Sequence, residues 1–511
     1  MAISSLLRRP PAWALAVIFA VVYGIVEPPS ADLAAQEYRA HLFAEAGFTL
    51  WNNGWYAGHH TLGYSVLSPP LGAAIGVRLA GALLIVVTTV LFARLVHNHW
   101  GARAYPATVW FAVAVTASVV SGRMTFTLGL AAGLAALLAL QHGRTVPAAG
   151  LAVITSLSSP VAGVFVAIAV AGWGLAARER RGGALLIAAG AVAPALALGL
   201  LFPEKGSFPF VPTAFWPALA AIALVVVMLP PEERELRLGA GVYVLACFAA
   251  FAIETPLGAN TTRLGAIFAG PLLVGALAGR RRLAVLVAIA LPLAYWSLYP
   301  AVRDVVRVTQ DRSAEARYHA PLVRFLESRP GTFRVEVPFT ANKWEAYYVA
   351  AHIPLARGWE RQLDRRYNGL FYDGHLTAAR YRAWLDLHAV HYVALPDVPL
   401  DYAGRDEARL IERGTSYLRP VWRNVHWRVF EVVHPAPLAA GAAVAITLTP
   451  DGFSITAPRA GDAYVRVRHT RWWTVTRGDA CITSASGGMT RVRVRHAGTV
   501  SVQARLHGSP C

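Results

Sequence analysis

The first 300 residues consist of long apolar blocks that short polar loops separate. Hydrocarbon offers no hydrogen-bond partner to a peptide group, so only helices or closed barrels can carry such stretches across a bilayer. A run of about 20 apolar residues is long enough to cross as a helix. The pattern predicts a polytopic α-helical membrane protein with about eleven transmembrane helices. The blocks lie at 12–26, 69–96, 104–121, 124–141, 146–157, 160–177, 183–202, 213–229, 238–254, 264–279 and 283–299.

The composition agrees with a membrane protein and argues against a nucleic-acid-binding one. Only 15% of the 511 residues are charged, whereas soluble proteins carry about 25%. The net charge of +18 could suggest a nucleic-acid partner. Much of the arginine, however, lies in short loops between apolar blocks, where the positive-inside bias concentrates it. We therefore predict that the chain interacts with the lipid bilayer and not with nucleic acid.

The arginine-bearing loops predict the orientation. With a cytoplasmic N-terminus, most of the loop arginines fall on the cytoplasmic side of an eleven-span topology, and the region after residue 300 falls outside. The weakest pair of spans is at 146–160, but the orientation is unchanged if that pair does not cross twice. We expect a multi-pass protein of the bacterial plasma (inner) membrane. The arginines in question are Arg94, Arg103, Arg144, Arg178, Arg180, Arg181, Arg234, Arg237, Arg280, Arg281 and Arg282.

The composition changes after the last apolar block. Three domains are predicted, namely a transmembrane domain (1–300), an extracytoplasmic α/β domain (301–438) and an extracytoplasmic β-sandwich (439–511). In the α/β domain, 333–337 and 391–395 are typical of strands and 378–388 of a helix. In the last domain, 464–468 and 490–495 alternate strictly between apolar and polar residues. Such alternation, broken by Gly and Pro, favours a small sandwich.

Cysteine, metal and nucleotide signals are weak. Cys247 lies inside an apolar block and is interpreted as a small apolar residue. Cys481 and Cys511 lie in the exported region, where a disulfide between them is as plausible as two free thiols. No spacing of Cys, His or carboxylates resembles a zinc site, and there is no phosphate-binding Gly-rich loop.

The predicted transmembrane domain contains one long external loop, 28–68, and long loops in compact proteins are usually functional. If a helix lies along the membrane surface at its start, Asp32, Gln36 and Arg39 share one side. Asp32 follows the first span by only a few residues, so its carboxylate would lie near the headgroups and could accept a proton from a hydroxyl nucleophile. The alternative is that Asp32 only caps this helix.

The same loop continues with clustered aromatic, amide and imidazole side chains, which a sugar-binding surface requires. An interfacial belt of Trp and Tyr is the alternative, but a belt does not account for the Asn, Gly and His residues. The candidate substrate-binding residues in the loop are Asn52, Trp55, Tyr56, His59, His60 and Tyr64.

With its many spans, its acidic residue directly after the first helix and its long first external loop, the chain resembles the GT-C superfamily of membrane glycosyltransferases. The segments 344–348 (WEAYY) and 358–364 (GWERQLD) are similar to bacterial YfhO-like membrane proteins. The GT-C resemblance implies a polyprenyl-phosphate-linked sugar donor, a cell-envelope acceptor and a catalytic carboxylate in the first loop. The paired Asp-Asp of some members is absent here, and Asp32 with Glu37 is the nearest substitute. Some members depend on a divalent metal, but the sequence does not indicate one, so the cofactor stays undetermined.

The resemblance also implies residues that stabilise the departing lipid phosphate. Arg123, Lys205 and Arg263 lie on the side that the positive-inside bias disfavours, and a guanidinium matches a phosphate bidentately. The alternative is that these side chains extend towards lipid headgroups. Two further substrate-site candidates are Glu254, which could also be the partner of Arg263, and Asn260.

The predicted α/β domain contains weaker acceptor candidates, for which core packing is the alternative; they are Trp344, Glu345, Trp359 and Glu360. Two other functions stay open for the whole chain. It could be a multi-spanning transporter or flippase, because Pro and Gly interrupt several spans. It could also be a non-catalytic envelope-assembly protein.

Overall fold

The computed structural model describes residues 11–204, 206–278, 283–308 and 311–508. The chain forms two compact units, which we call the helical unit and the tail unit. The helical unit comprises residues 1–36, 63–203 and 207–306. The tail unit comprises residues 37–62, 204–206 and 307–511. Most of the predicted external loop 28–68 is therefore part of the tail unit, a division that differs from the sequence-based domain boundaries.

The helical unit is built from apolar helices, one for each apolar block of the sequence. The block at 69–96 is broken, because Gly76 has a φ of +83° and separates two helices. The first thirteen helices are α1 (Ala12–Val26), α2 (Ala31–Ala46), α3 (Ser68–Ile75), α4 (Val77–Trp100), α5 (Tyr105–Val120), α6 (Met124–Gln141), α7 (Thr145–Ser158), α8 (Pro160–Ala176), α9 (Arg181–Leu201), α10 (Pro212–Met228), α11 (Arg234–Ala252), α12 (Thr262–Leu277) and α13 (Leu283–Val308).

Several of these helices have a length and composition that allow them to cross a membrane. Within the described residues, four segments meet this criterion: Val77–Val120, Met124–Gln141, Arg178–Leu201 and Arg234–Ala252. Trp13–Val26 and Ala31–Ala46 meet it only as a pair, which is bent by 82°. Three shorter apolar helices are Thr145–Ser158, Pro160–Ala176 and Pro212–Met228. The total of eleven spans and their orientation stay predictions.

The helical unit packs small and aromatic side chains inside and leaves large aliphatic ones outside. Phe92 and Phe111 stack with their ring centroids 4.0 Å apart. A Cβ at Gly172 would lie 2.6 Å from the backbone of Gly239, so α8 and α11 approach closely, as small residues permit in membrane bundles. Leu200 and Val227 are each 77% exposed. Such an apolar surface is compatible with contact to lipid.

The tail unit contains a mixed sheet with helices, residues 316–432. Its strands follow the order β3-β4-β6-β5, with β3 and β4 parallel and the other neighbours antiparallel. The predicted strands at 333–337 and 391–395 correspond to β3 and β4, and the predicted helix at 378–388 corresponds to α17. The elements up to this sheet's end are β1 (Trp51–Asn52), β2 (His59–His60), α14 (Ala316–Glu327), β3 (Arg334–Glu336), α15 (Glu345–Tyr348), α16 (Arg361–Tyr367), α17 (Ala378–Leu387), β4 (Val390–Pro396), α18 (Tyr402–Glu412), β5 (Leu418–Arg423) and β6 (Trp427–Val432).

The rest of the tail unit forms two four-stranded antiparallel sheets, with strand orders β12-β13-β10-β7 and β11-β14-β9-β8. The two alternating segments of the sequence are β10 and β13, which pair with Tyr464 opposite Arg491. Cys481 is disulfide-bonded, whereas Cys511 lies outside the described residues. Cys247 is a buried free thiol. The strands are β7 (Ala439–Gly441), β8 (Ala445–Thr449), β9 (Gly452–Ala457), β10 (Gly461–Arg468), β11 (Trp473–Arg477), β12 (Ala480–Ser484), β13 (Met489–Val494) and β14 (Gly498–Ala504).

Candidate active site

Asp32 lies in the first turn of α2. The chain leaves α1 through Glu27, which has a φ of 42°, and two prolines follow before α2 begins at Ala31. Asp32 is therefore a residue inside the helix and not its N-cap, so the capping alternative is wrong as stated. A carboxylate in a first turn still interacts favourably with the helix dipole. Asp32 is half-buried.

The turn between α5 and α6 packs against this start of α2. Gly122 has a φ of +75°, and a Cβ there would lie 2.3 Å from Ser30 Oγ and 2.4 Å from Leu33 N. It would also lie 3.0 Å from the carbonyl carbon of Asp32. Only glycine permits this close approach with this backbone conformation. The next residue, Arg123, is thereby brought to the same end of α2 as Asp32.

Arg263 completes a group of charged side chains in the helical unit. It is the second residue of α12, and it interacts electrostatically with Arg123, Asp32 and Tyr64. Its guanidinium carbon also lies 5.6 Å from the ring centroid of Phe126. The structure therefore brings together four residues that the sequence singled out separately: Asp32, Tyr64, Arg123 and Arg263.

Polar atoms without partners surround this charged group. Within the described residues, Ser118 Oγ, Ser121 Oγ and Arg123 Nε are buried and have no hydrogen-bond partner, and the same holds for Ser30 Oγ. A buried polar atom without a partner costs free energy, so a group of them is unusual and is suited to bind a polar ligand. Ser118 and Ser121 line one cavity together with Arg123 and Arg263. Hydroxyl and guanidinium donors in one cavity are suited to an anion.

A hydrogen-bond network holds Tyr64 beside these residues. The Gln36 amide nitrogen donates to Tyr64 OH at 3.2 Å, and the Thr125 hydroxyl donates to the Gln36 amide oxygen. Ser68 Oγ lies 2.7 Å from Thr125 Oγ1. Ser30, Ser68 and Thr125 follow no pattern in the sequence that indicates a site. The tight turn at 121–123 is a signal that the sequence does contain.

Glu37, the second carboxylate candidate, lies five positions after Asp32 on α2. Residues at this spacing point about 140° apart around a helix. Glu37 interacts electrostatically with Tyr347, whose pKa is raised by burial and by that charge. The two carboxylates therefore do not share a face of α2, and they do not form the expected pair.

The aromatic and polar residues of the first loop form part of the interior of the tail unit. Trp55 stacks on Tyr38 and His59, with centroid distances of 4.2 and 5.9 Å. Asn52 accepts a hydrogen bond from Tyr38 OH at 2.9 Å and lies 3.0 Å from His59 Nε2. Tyr56 OH donates to the carbonyl of Gly358 at 2.5 Å. Burial lowers the pKa of His59 to about 4. These contacts favour a packing role over the predicted sugar-binding one.

His60 belongs to a separate buried cluster of the tail unit. Its Nδ1 lies 2.9 Å from the Glu204 carboxylate and its Nε2 lies 3.0 Å from Thr470 Oγ1. Tyr367 OH donates to the other Glu204 oxygen at 2.7 Å. Burial raises the pKa of Glu204, but the hydrogen bond and charge of His60 outweigh it and hold that pKa below its usual value. The cluster joins distant segments of the chain.

Two other candidates, Glu254 and Asn260, do not join the charged group. Lys205 lies outside the described residues. Glu254 is exposed beyond the end of α11, and its carboxylate lies 3.4 Å from Ser207 Oγ. The structure thus places Asp32, and not Glu254, beside Arg263. Asn260 is buried, and its amide nitrogen lies 3.5 Å from the carbonyl of Pro256.

The acceptor candidates of the tail have packing roles. Trp344 is buried and stacks on Tyr348 with centroids 5.2 Å apart. Glu345 is buried and accepts a hydrogen bond from the Thr340 hydroxyl at 2.6 Å; its burial raises its pKa. Two further candidates lie at the edge of this core. The Trp359 ring lies 4.9 Å from Lys343 Nζ, and Glu360 forms an ion pair with Arg39 at 2.7 Å.

The residues around Asp32 do not fit the divalent metal that the resemblance implies for some family members. A divalent cation prefers several oxygen ligands. Here a single carboxylate, Asp32, interacts electrostatically with Arg263, which also interacts with Arg123, and Glu37 is directed elsewhere. Across the described ranges, no group of three or more His, Cys, Asp or Glu side chains could hold a metal ion. The positive charges make an anion the better ligand.

Comparisons with known proteins gave distant structural similarities. No family model and no curated protein matches the sequence. The fold is similar to that of the arabinofuranosyltransferase AftD from Mycobacteria, with a TM-score of 0.47, 13% identity and coverage of 96% of this chain. This chain spans 57% of the length of that protein. It is also similar to the Archaeoglobus fulgidus oligosaccharyltransferase, with a TM-score of 0.45, 12% identity and coverage of 77% of this chain and 70% of the other. The YfhO-like resemblance of the tail stays a prediction.

Proposed function

We propose that this chain is a membrane glycosyltransferase. It would move a sugar from a polyprenyl-phosphate donor to a cell-envelope acceptor, a glycan, lipid or protein, on the extracytoplasmic side. The single observation that carries the proposal is the grouping of one carboxylate, Asp32, with two guanidinium groups, Arg123 and Arg263. Buried serine hydroxyls without protein partners lie next to this group.

The chemistry assigns one step to each kind of side chain. Asp32 accepts the proton of the acceptor hydroxyl as its oxygen bonds to the anomeric carbon of the sugar. The bond between that carbon and the phosphate oxygen breaks, and the electron pair leaves with the phosphate. Arg123 and Arg263 stabilise the negative charge that develops there, because guanidinium donors match phosphate oxygens bidentately.

The hydroxyl donors supply the remaining contacts to the phosphate. Ser118 and Ser121 line the same cavity as both arginines. Its volume is about 20 Å³, which is close to that of one water molecule, so the cavity has to widen before a phosphate can reach these hydroxyls.

The test is glycosyl transfer by purified protein with a panel of polyprenyl-phosphate sugars. Asp32→Asn keeps the shape of the side chain but removes its basicity, so transfer should fall by about 10²-fold or more. Arg263→Ala should weaken donor binding by about tenfold or more, because a charge-assisted contact to the phosphate is lost. Both effects are measured as kcat and as donor affinity.

Two nearby residues provide matched controls. Glu27 and Arg78 form an ion pair with a nitrogen–oxygen distance of 3.8 Å at the end of α1. Glu27→Gln and Arg78→Ala make the same kinds of change outside the proposed site and should leave transfer near normal. Near-normal transfer by Asp32→Asn would remove Asp32 as the base. Solute flux without turnover of any lipid-linked donor would replace the enzyme with a transporter.

A further inference from the structure

A groove in the tail unit lies between α18 and the turn that joins β5 to β6. Its volume is about 1090 Å³, and its walls are the end of β4, the exposed side of α18 and the hairpin residues 423–428. Pockets that bind small molecules commonly have volumes of about 300–1,000 Å³. The groove is therefore large enough for more than one sugar unit.

Each wall of the groove carries two arginines in positions where like charges repel. Arg405 and Arg409 are four residues apart on α18, so they are neighbours on the helix surface. Arg423 and Arg428 are directly opposite each other across the β5–β6 pair. Both arrangements are unfavourable for the free protein. All four side chains are exposed and line the groove.

The acidic residues nearby compensate only part of this charge. Arg428 forms an ion pair with Glu412 at 2.8 Å, and Arg409 forms one with Asp406. Within the described parts of the chain, the side chains of Arg405 and Arg423 have no hydrogen-bond or ion-pair partner. Two guanidinium groups thus remain free in a concave surface.

We propose that this groove binds an anionic oligosaccharide, one whose sugar units carry carboxylate or phosphate groups. Free guanidinium groups on opposite walls can each take one such group bidentately. Leu400 and the exposed Val425 supply an apolar lining on which the C–H faces of a sugar can pack. A basic surface that binds membranes combines its charges with an exposed apolar face on an amphipathic helix. Here the arginines line a concave surface, which favours a chain-like ligand.

The test is calorimetric binding of trigalacturonate to the full-length protein in nanodiscs of phosphatidylcholine, with maltotriose as the neutral probe. The wild-type protein should bind trigalacturonate and not maltotriose, and added salt should weaken the binding. Arg405→Ala with Arg423→Ala should weaken it by about tenfold or more. The matched control is Arg459→Ala with Arg491→Ala, which removes two exposed arginines of the sandwich region and should not change the affinity.

A second variant keeps the proposal falsifiable if the first one is poorly folded. Glu412→Gln frees Arg428 and removes a negative charge from the groove, so trigalacturonate should bind more tightly, an effect that misfolding would not produce. Unchanged affinity in both variants, or equal binding of maltotriose, overturns the proposal. So does a defect of the double variant that is confined to phosphatidylglycerol vesicles, because the groove would then be a membrane contact. None of these measurements uses a sugar donor, so the result is independent of the proposed transferase activity.

Discussion

At the scale of single residues, the charged group at Asp32 depends on a glycine that carries no chemistry. Gly122 allows the α5–α6 turn to approach Ser30 and Leu33 so closely that a Cβ would meet a backbone nitrogen at 2.4 Å. The backbone atoms there cannot move as freely as the end of a side chain. The position of Arg123 relative to Asp32 therefore rests on the absence of one carbon atom.

Gly122→Ala should accordingly displace the start of α2 and lower glycosyl transfer by about 10²-fold, because a shift of about 1 Å at a reacting group has effects of this size. Gly143 is a matched control, since it has nearly the same φ, +72°, and nothing lies within 4 Å of its Cβ position. Gly143→Ala introduces the same backbone strain, of about 1 kcal/mol, without the collision. Transfer rates and unfolding temperatures of the two variants are compared. Equal activity in both would mean that the contact with Ser30 and Leu33 does not position the site.

Only some residues of the proposed site can be predicted from the sequence. Arg123 and Arg263 were predicted because they violate a bias that acts on loops, and Asp32 because it follows the first span closely. Ser30, Ser118 and Ser121 carry no such signal, since a serine is ordinary in any of these positions. Their role depends on the absence of a hydrogen-bond partner, which only the packed structure reveals.

At the scale of elements, a buried ion cluster joins β3, α16 and α18 in the tail unit. Arg357 donates to Asp364 through two nitrogens, at 3.1 and 2.7 Å, and to Glu407 at 3.2 Å. Its nearest approach to Glu336 is 3.9 Å. One guanidinium thus faces three buried carboxyl groups. Burial and the neighbouring carboxylates raise the pKa of Glu336, and burial raises the pKa of Glu407 to about 7.

This cluster predicts that the tail unit loses stability as the pH rises. An unfolded glutamate has a pKa of about 4.3, so between that value and about 7 the folded cluster holds more protons than the unfolded chain. Stability is then fully present below pH 4.3 and falls as the pH rises through 7. Glu336→Gln imitates the protonated acid and should flatten the decline in unfolding temperature between pH 5 and pH 8.

The exposed Glu327 gives the control for this measurement. It is half-exposed and interacts with His352 at 3.0 Å. Glu327→Gln should retain the wild-type slope of unfolding temperature against pH. If Glu336→Gln also retained the wild-type slope, a group outside the cluster would bind the proton. The cluster would then not determine the pH dependence of stability.

The elements themselves were largely predictable, and their partners were not. Apolar blocks predicted helices because a bilayer permits little else, and alternation predicted β10 and β13 because strand side chains alternate between two faces. The register of the pair, with Tyr464 opposite Arg491, depends on how both faces of the sheet pack. The sequence of one strand alone does not contain that information. The break at Gly76 was missed because a glycine inside an apolar run is common in membrane helices.

At the scale of the whole molecule, the first loop again shows that a sequence does not reveal which distant residues a side chain contacts. Its aromatic and amide side chains suggested a sugar-binding surface because their partners were invisible in the sequence. In the structure, the Asn53 amide donates to the carbonyls of Thr449 and Gly452 at 2.9 and 2.6 Å. Trp55 Nε1 donates to the carbonyl of Ala346 at 3.0 Å. Residues 37–62 are thus an internal part of the tail unit.

Trp51 makes this connection testable. It is 2% exposed and belongs to the hydrophobic core of the sandwich, with its ring centroid 5.2 Å from that of Trp473. Trp51→Ala should lower the free energy of unfolding of the tail unit by about 3–5 kcal/mol, because it leaves a large cavity in that core. The loss is measured by thermal unfolding and by the rate at which protease cleaves residues 439–508 of the full-length protein.

Phe48 is the control, since it lies three positions earlier and is 65% exposed. Phe48→Ala should leave both measurements close to wild type. If Trp51→Ala also left the sandwich resistant to protease, the sandwich would hold its core without the first loop. If instead cleavage accelerates in Trp51→Ala alone, a change near the N-terminus destabilises the last domain of the chain. The first loop would then be essential because it completes the core of the tail unit, whereas the proposed base, Asp32, belongs to the helical unit.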